Sequence, residues 1–453
     1  MTAASAPSVK SLAVRGAIWT IIGYGASQIL RFGSNLILTR LLVPELFGLM
    51  SLVYVFITGL HLFSDVGLGI SVIQNKRGDD PKFLNTAWTI QVMRGIVLWF
   101  GCLLIAAPAA QIYNEPRLQW LIPLVGLNTL ITGFSGTSIL TLNRHLSVRQ
   151  LALYELSGQL ISTVVMIIWA YFNPTIWALL AGSLASAVYQ LICSHCMNKG
   201  FVNRFTWDRS SATELFSFGT WIFISTAITF FAEQADRLIL GKVLSLELLG
   251  IYGIAMTLAD LPRSVTLALN GKVILPALSK VIDQPRPVVR AKLLHNRKLM
   301  LLALVAVSVG LICFGDLVIK LLYDNRYIDA SWMLPILTLG IWPRLLCNTN
   351  EPALFAIGRP QYTSAANLSR FLCTAGGIFV GYALFQVPGA VVAVALNDLC
   401  YYVVVNFGLW REGLGGLRQD AFATGLMLAA AAMVLIIRAN LGFGSPLDVL
   451  LAN

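Results

Sequence analysis

Apolar runs of about 20 residues recur along the chain, near 17–38, 45–66, 84–108, 119–141, 153–172, 175–194, 215–240, 247–269, 299–321, 332–349, 366–386, 388–408 and 420–437. Each is long enough to cross roughly 30 Å of hydrocarbon as a helix. Backbone polar groups in lipid must be satisfied within the segment, so such a chain folds as packed spanning helices. Alternating strands of about ten residues, which would build a barrel, are not seen. Only 12% of the 453 residues are charged and 57% are hydrophobic, whereas a soluble domain carries about 25% charged residues. The predicted class is all-α, a polytopic membrane protein of about 12–14 transmembrane helices.

The segment from Met1 to Arg15 is polar and the first run is too long for a signal-peptide core, so it is expected to stay attached as a start-transfer helix. With the N-terminus on the cytoplasmic side, even-numbered loops hold Lys76, Arg77, Lys82, Arg144, Arg149, Lys199, Arg204, Arg209, a basic stretch from Lys272 to Lys298, Arg359, Arg411 and Arg418. The opposite loops hold little beyond Arg40, Arg117, Lys242, Lys320, Arg326 and Arg438. This bias is the positive-inside rule and accounts for most of the net charge of +11, so no nucleic-acid partner is implied. The longest loop, Gly271 to Lys298 with its Pro285-Arg286-Pro287 breaker, reads as a connector lying on anionic membrane lipid or gating an inner mouth.

Arg31 lies inside the first apolar run, and Tyr24, Gln28, Arg31 and Asn35 share one helical face. An arginine facing lipid at mid-bilayer costs roughly 2.5–3.5 kcal/mol, so that face needs a cavity or a partner. The second run repeats the spacing with Tyr54, Thr58, His61 and Asp65, the eighth with Tyr252, Met256, Asp260 and Arg263, and the third carries Asn85, Trp88, Gln91 and Arg94 at steps of three. The seventh run holds Glu233, Asp236 and Arg237, and later runs hold Arg344 and Arg370. Asp260 can pair with Arg263 and Asp236 with Arg237, while Asp65 or Glu233 can reach Arg31 across helices. Arg31, Arg94, Arg344 and Arg370 have no carboxylate at helical spacing in their own runs, and are read as anion ligands. Arginine suits phosphate, and aromatic neighbours suit sugar rings, so the physical reading is a carrier for an anionic, amphipathic substrate. Asp65, Glu233, Asp236 and Asp260 are the candidate ion-coupling groups or charge partners.

A shift of 202 residues superimposes Trp19 on Trp221, Leu36-Ile37-Leu38 on Leu238-Ile239-Leu240, Arg40 on Lys242, and Leu42, Glu45, Leu46 and Gly48 on Leu244, Glu247, Leu248 and Gly250 without a gap. This register predicts a duplication, with an N-lobe at 1–200, a C-lobe at 201–410 and an accessory terminal span at 411–453. Six runs separate the copies, so the lobes are expected as parallel repeats with substrate between them. Arg31 falls on Glu233 in this alignment.

Seven cysteines lie mostly within apolar runs and imply no disulfide framework. Cys193 and Cys196 form a C-x-x-C with no second Cys/His pair nearby, so a helix end is favoured over a metal site. No phosphate-binding loop, zinc-protease or nucleophile-elbow motif occurs; neither an enzyme nor a cofactor is expected.

Three passages carry a family resemblance: Asn35-Leu-Ile-Leu-Thr-Arg-Leu-Leu-Val-Pro-Glu-Leu-Phe-Gly48, Phe63-Ser-Asp-Val-Gly-Leu-Gly-Ile-Ser-Val-Ile-Gln74 and Asn85-Thr-Ala-Trp-Thr-Ile-Gln-Val-Met-Arg-Gly95. They resemble the polysaccharide transporter branch of the multidrug/oligosaccharidyl-lipid/polysaccharide exporter superfamily, nearest to O-antigen and colanic-acid type flippases. The resemblance implies two six-helix lobes around a central cavity, alternating access, and a polyprenyl-pyrophosphate-linked glycan moved to the outer leaflet. It also implies a basic cavity, carried onto Arg31, Arg263 and Arg94, and work beside polysaccharide polymerase and glycosyltransferase machinery. A lipid II flippase and a drug/cation antiporter of the same superfamily are the alternatives; the excess of intramembrane arginine speaks against the second.

Overall fold

The structure is a computed structural model describing residues 9–64, 67–145, 147–197, 202–216, 219–270, 274, 278 and 283–452. The chain divides into two compact units, 1–42 with 53–227, and 43–52 with 228–453. Among the described residues the regular structure is helical throughout, and each of the thirteen apolar runs falls on helix. The protein is a multi-pass membrane protein.

The first unit is built from α1 (Val9–Leu41), the later part of α2 (Pro44–Phe63), α3 (Leu68–Gln74), α4 (Pro81–Tyr113), α5 (Leu118–Gly133), α6 (Ser138–Arg144), α7 (Val148–Phe172), α8 (Ile176–Cys196) and α9 (Arg209–Phe216). Asp80 accepts from the Lys82 N–H at 3.0 Å and Pro81 supplies a pre-set φ at the first turn, which fixes the start of α4. The fourth span is broken into α5 and α6 at an angle of 63°. Cys196 ends α8, the helix end expected of the C-x-x-C.

A seven-residue extended segment, 202–208, runs along α4. The N–H groups of Arg204, Thr206 and Asp208 donate in turn to Asn85 Oδ1, Thr89 Oγ1 and Thr86 Oγ1 at 2.9, 3.0 and 3.2 Å. Alternate residues of an extended chain face one side, so the short polar side chains of α4 take the place of a neighbouring strand. Asp208 then caps α9, accepting from the Ser210 hydroxyl at 2.6 Å and from the Ser211 hydroxyl and N–H at 2.6 and 2.9 Å. These bonds hold its carboxyl well below the usual carboxylate range. A carboxylate depressed in this way stabilises the fold above its unfolded pKa of about 3.9, and the contribution fades as pH falls toward the lower folded value. Protection of the α9 amides, measured against their intrinsic exchange rates, should hold down to about pH 4 and drop in stronger acid. In Asp208→Asn the protection should already be reduced at pH 7.

The second unit continues from residue 228 of α10 (Gly219–Val243) through α11 (Leu246–Ala259), α12 (Leu261–Leu269), α13 (Arg286–Leu322), α14 (Ala330–Asn348), α15 (Glu351–Ala356), α16 (Gln361–Arg411), α17 (Leu417–Asn440) and α18 (Asp448–Ala452). The later part of the loop expected from Gly271 to Lys298 is helix, since α13 begins at Arg286; most of 271–282 lies outside the described residues. Pro287, taken as a breaker, occupies the first turn, where a missing N–H and a fixed φ favour helix initiation. In α16 the backbone is non-helical at Phe385 and Gln386, and Gln386 has φ 54°. This turn folds two apolar arms back on each other. It brings Cys373 and Cys400 together in a disulfide with Cα atoms 6.9 Å apart, correcting the expectation of seven unpaired cysteines. Two residues flanking a turn at near-equal distance meet in a hairpin, which spacing alone does not reveal.

Two buried ion pairs hold α17 against α13. Arg297 of α13 meets Asp420 of α17 at 2.7 Å, and Arg438 of α17 meets Asp316 of α13 at 2.5 Å, with all four side chains no more than 2% exposed. The pairs lie nineteen residues apart on α13 and eighteen on α17, about 27–29 Å of helix, so the helices run parallel and are tied over a bilayer's thickness.

Residues 43–52, the start of α2, pack in the second unit against the start of α11. A Cβ on Gly48 would come within 1.9 Å of Leu246 O, and one on Gly250 within 2.0 Å of Pro44 O. Pro44 and Gly48 are the residues that the 202-residue shift places on Leu246 and Gly250, so this contact has a local two-fold character. Gly48→Ala and Gly250→Ala should each cost about 1–3 kcal/mol through overpacking. Gly253→Ala, where nothing lies within 4 Å, should be near neutral, and thermal unfolding of the purified protein compares them.

Candidate functional site

In the first unit, Gly23 and Ser27 of α1 face α7. A Cβ on Gly23 would lie 3.0 Å from Ala152, and Ser27 Oγ donates to Gln159 Oε1 at 2.7 Å. The stripe of Tyr24, Gln28, Arg31 and Asn35 is rotated about 100° from this contact, so packing leaves it partly open. Gln28 Nε2 donates to Tyr24 Oη at 3.1 Å. Arg31 is exposed, and its guanidinium makes no ion pair or side-chain hydrogen bond among the described residues. Asp65, one partner considered for it, lies outside the described residues.

The stripe on α4 has a different use. Trp88 is buried under the extended segment, with Phe205 at a ring-centroid distance of 4.7 Å and Nε1 donating to Phe134 O at 3.3 Å. Gln91 Nε2 lies 3.0–3.2 Å from the carbonyls of Thr132, Gly133 and Ser135, at the end of α5. Arg94 donates to His61 O at 2.8 Å and Ser64 Oγ at 2.9 Å, at the end of α2. Carbonyls in a last helical turn lack intrahelical partners and carry partial negative charge, so a cation there is well placed. Trp88, Gln91 and Arg94 therefore hold helix ends. Gln91 and Arg94 also line a cavity of about 330 Å³ with His61, Thr132, Tyr154 and Gln190, so Arg94 keeps one side toward open space.

The second unit gathers its charges around Glu233 of α10. Arg344 of α14 donates to Glu233 Oε1 at 2.8 Å, Arg370 of α16 stands 3.5 Å from the same oxygen, and Arg263 of α12 is 3.4 Å from Oε2. Arg263 also binds Asp260 at 2.5 Å, the pair expected from spacing. Arg370 Nε lies 2.8 Å from Asp398 Oδ1, off the N–H direction, and its Nη1 donates to Ala232 O at 2.9 Å. The Arg344 guanidinium stacks 3.7 Å above Tyr401, whose hydroxyl donates to Glu351 Oε1 at 2.6 Å. Arg344 is 8% exposed and leaves Nε and Nη1 without hydrogen-bond acceptors.

Arg344 and Arg370, read as anion ligands because no carboxylate lies at helical spacing in their own runs, have acid partners that only tertiary packing brings to them. Spacing along one helix does not register such partners. The expected Asp236–Arg237 pair is replaced by an Asp236 bond from the buried Tyr252 hydroxyl at 2.6 Å; Arg237 makes no ion pair among the described residues. Sequence reading missed Asp398, Glu351 and Tyr401. Asp398 sits in an apolar run, and the test applied to the arginines would have found it.

The family described as polysaccharide biosynthesis protein matches residues 37–332. The chain belongs to this family. Similar members include the succinoglycan biosynthesis transport protein ExoT of Rhizobium meliloti, 21% identical over 95% of this chain and 87% of the relative. The lipopolysaccharide biosynthesis protein WzxC of Escherichia coli is 23% identical, over 96% and 88%. Among solved structures, an inward-facing multidrug resistance MATE transporter of the MOP superfamily aligns with a TM-score of 0.67 at 12% identity, covering 87% of this chain and 98% of its own. The lipid II flippase MurJ in an inward closed conformation gives 0.67 at 13%, covering 94% and 99%. The chain thus has the fold of these transporters, and the resemblance seen in its N-terminal passages is upheld.

Proposed function

We propose that the protein moves a polyprenyl-pyrophosphate-linked oligosaccharide across the bacterial cytoplasmic membrane, by alternating access, for surface polysaccharide synthesis. The observation that carries the reading is Arg31, an exposed guanidinium without an ion pair among the described residues, on a polar stripe of an otherwise apolar spanning helix. A planar, permanently charged fork with no acid beside it suits a pyrophosphate, and Tyr24, Gln28 and Asn35 add hydrogen-bonding groups on the same face. The names of family relatives, a succinoglycan transport protein and a lipopolysaccharide biosynthesis protein, support a glycan cargo. The fold does not choose the cargo, since the MATE and MurJ neighbours share it.

In this reading the N-terminus is cytoplasmic, two repeats at 1–200 and 201–410 act as lobes, and 411–453 is accessory. The pyrophosphate is drawn toward Arg31 while the polyprenyl chain stays in lipid. An inside-negative potential favours outward movement of anions by about 2.3 kcal/mol per charge per 100 mV. The protein binds and releases without bond-making chemistry, beside the glycosyltransferases and polymerase that make and use the glycan. In a strain lacking the gene, lipid-linked glycan should accumulate on the cytoplasmic leaflet, as read by accessibility to an externally added glycosidase or lectin; normal surface polysaccharide there refutes the proposal.

A further inference from the structure

A cleft of about 480 Å³ opens between α13 and α17, with Lys298 and Arg418 at one end and Leu302, Val305, Phe422 and Leu426 along its length. We propose that this cleft binds an anionic phospholipid, the phosphate on Lys298 and Arg418 and one acyl chain along the apolar walls.

Charge supplies the first argument. Lys298 and Arg418 are exposed and make no ion pair among the described residues. The acids nearest in sequence are committed elsewhere: Asp420 to Arg297 at 2.7 Å, and Glu412 to Arg359 at 3.5 Å. Arg418 also borders a second cavity of about 520 Å³ with Arg290 and Trp410. Arg290 is held toward it by a bond to Gly415 O at 2.7 Å, and Trp410 is 67% exposed, as tryptophan is at a membrane interface. Arg418 thus borders both cavities, with Lys298 lining the first and Arg290 the second, a basic rim of the kind by which pockets between spanning helices hold anionic lipid.

Geometry supplies the second. From Lys298 to Val305 and from Arg418 to Leu426 the parallel helices climb about 10–12 Å, enough for the upper part of an acyl chain. Phe422 is 72% exposed and Leu302 53%, so neither is spent on packing within the protein. The buried Arg297–Asp420 pair stands behind the cleft and fixes the spacing of its walls. This inference is independent of which glycan, if any, is carried.

The full-length protein, purified in neutral detergent and stripped of lipid, would be titrated with phosphatidylglycerol, phosphatidylcholine and a short polyprenyl phosphate. Native mass spectrometry and thermal unfolding would follow binding. Phosphatidylglycerol should bind and raise the melting temperature, and Lys298→Gln with Arg418→Gln should weaken it about tenfold or more, to the level of phosphatidylcholine. Each single substitution should show part of that loss, and the melting temperature without lipid should stay unchanged, since both side chains are exposed. Lys292→Gln, an exposed cation outside both cavities, should bind as the wild type does. The proposal is overturned if phosphatidylcholine binds equally well, if the double variant keeps its affinity, if Lys292→Gln loses as much, or if polyprenyl phosphate displaces the phospholipid from the cleft.

Discussion

Glu233→Gln is expected to lower the yield of folded protein and its melting temperature, because the loss falls on three arginines at once. One carboxylate, 27% exposed, serves Arg263, Arg344 and Arg370 at 2.8–3.5 Å. Removing one partner of a buried ion pair costs roughly 3–5 kcal/mol, because the opposite charge is left uncompensated. Here the loss falls on three cations. Arg370 retains Asp398 and Arg263 retains Asp260, but Arg344 keeps only its stacking on Tyr401, with Nε and Nη1 already lacking acceptors. Asp260→Asn should be much milder, since Arg263 still has Glu233. Detergent-extracted thermal stability and size-exclusion profiles of the two variants would be compared. A Glu233→Gln protein as stable as the wild type but inactive would assign the residue to ion coupling and away from a structural hub.

Arg31→Ala should do the reverse: transport lost, folded protein retained. Since the guanidinium forms no ion pair among the described residues, its removal orphans no buried acid there. A hydrogen bond to a charged group contributes about 1.5–3 kcal/mol, so export should fall about tenfold to a hundredfold, with protein level and melting temperature unchanged. Arg31→Lys should restore part of the activity, keeping the charge and losing the fork. Export is read from surface polysaccharide in a complemented deletion strain. Unchanged export in Arg31→Ala removes the residue from the site.

These two residues are also the pair that the 202-residue shift superimposes. The two aligned positions carry opposite charges: an exposed arginine on α1, and on α10 an acid ringed by arginines. A substitution that neutralises both at once should combine the two losses rather than cancel them.

The helical membrane-spanning character of the chain was legible because a membrane-crossing segment is a local property of about twenty residues; among the described residues eight helices are long and apolar enough to span. The turn at 385–386, between the runs at 366–386 and 388–408, was read from composition alone. The Asp260–Arg263 pair was legible for the same reason, being one helical turn. What the sequence left open is everything that needs two helices to meet. Trp88, Gln91 and Arg94 share a face with regular spacing and looked like a binding stripe, yet their partners are the ends of α2 and α5. The disulfide, the two ion pairs that tie α17 to α13, and the sharing of Glu233 all join residues far apart in the chain.

The sequence by itself determined that this chain lives in a membrane as a bundle of helices, and that its arginines must turn away from lipid, because hydrocarbon solvates neither bare backbone nor charge. Only the tertiary structure decided which arginines found an acid and which did not. That depends on the register between helices, which periodicity along a single helix does not encode; among the described residues Arg263, Arg344 and Arg370 have acid partners and Arg31 has none.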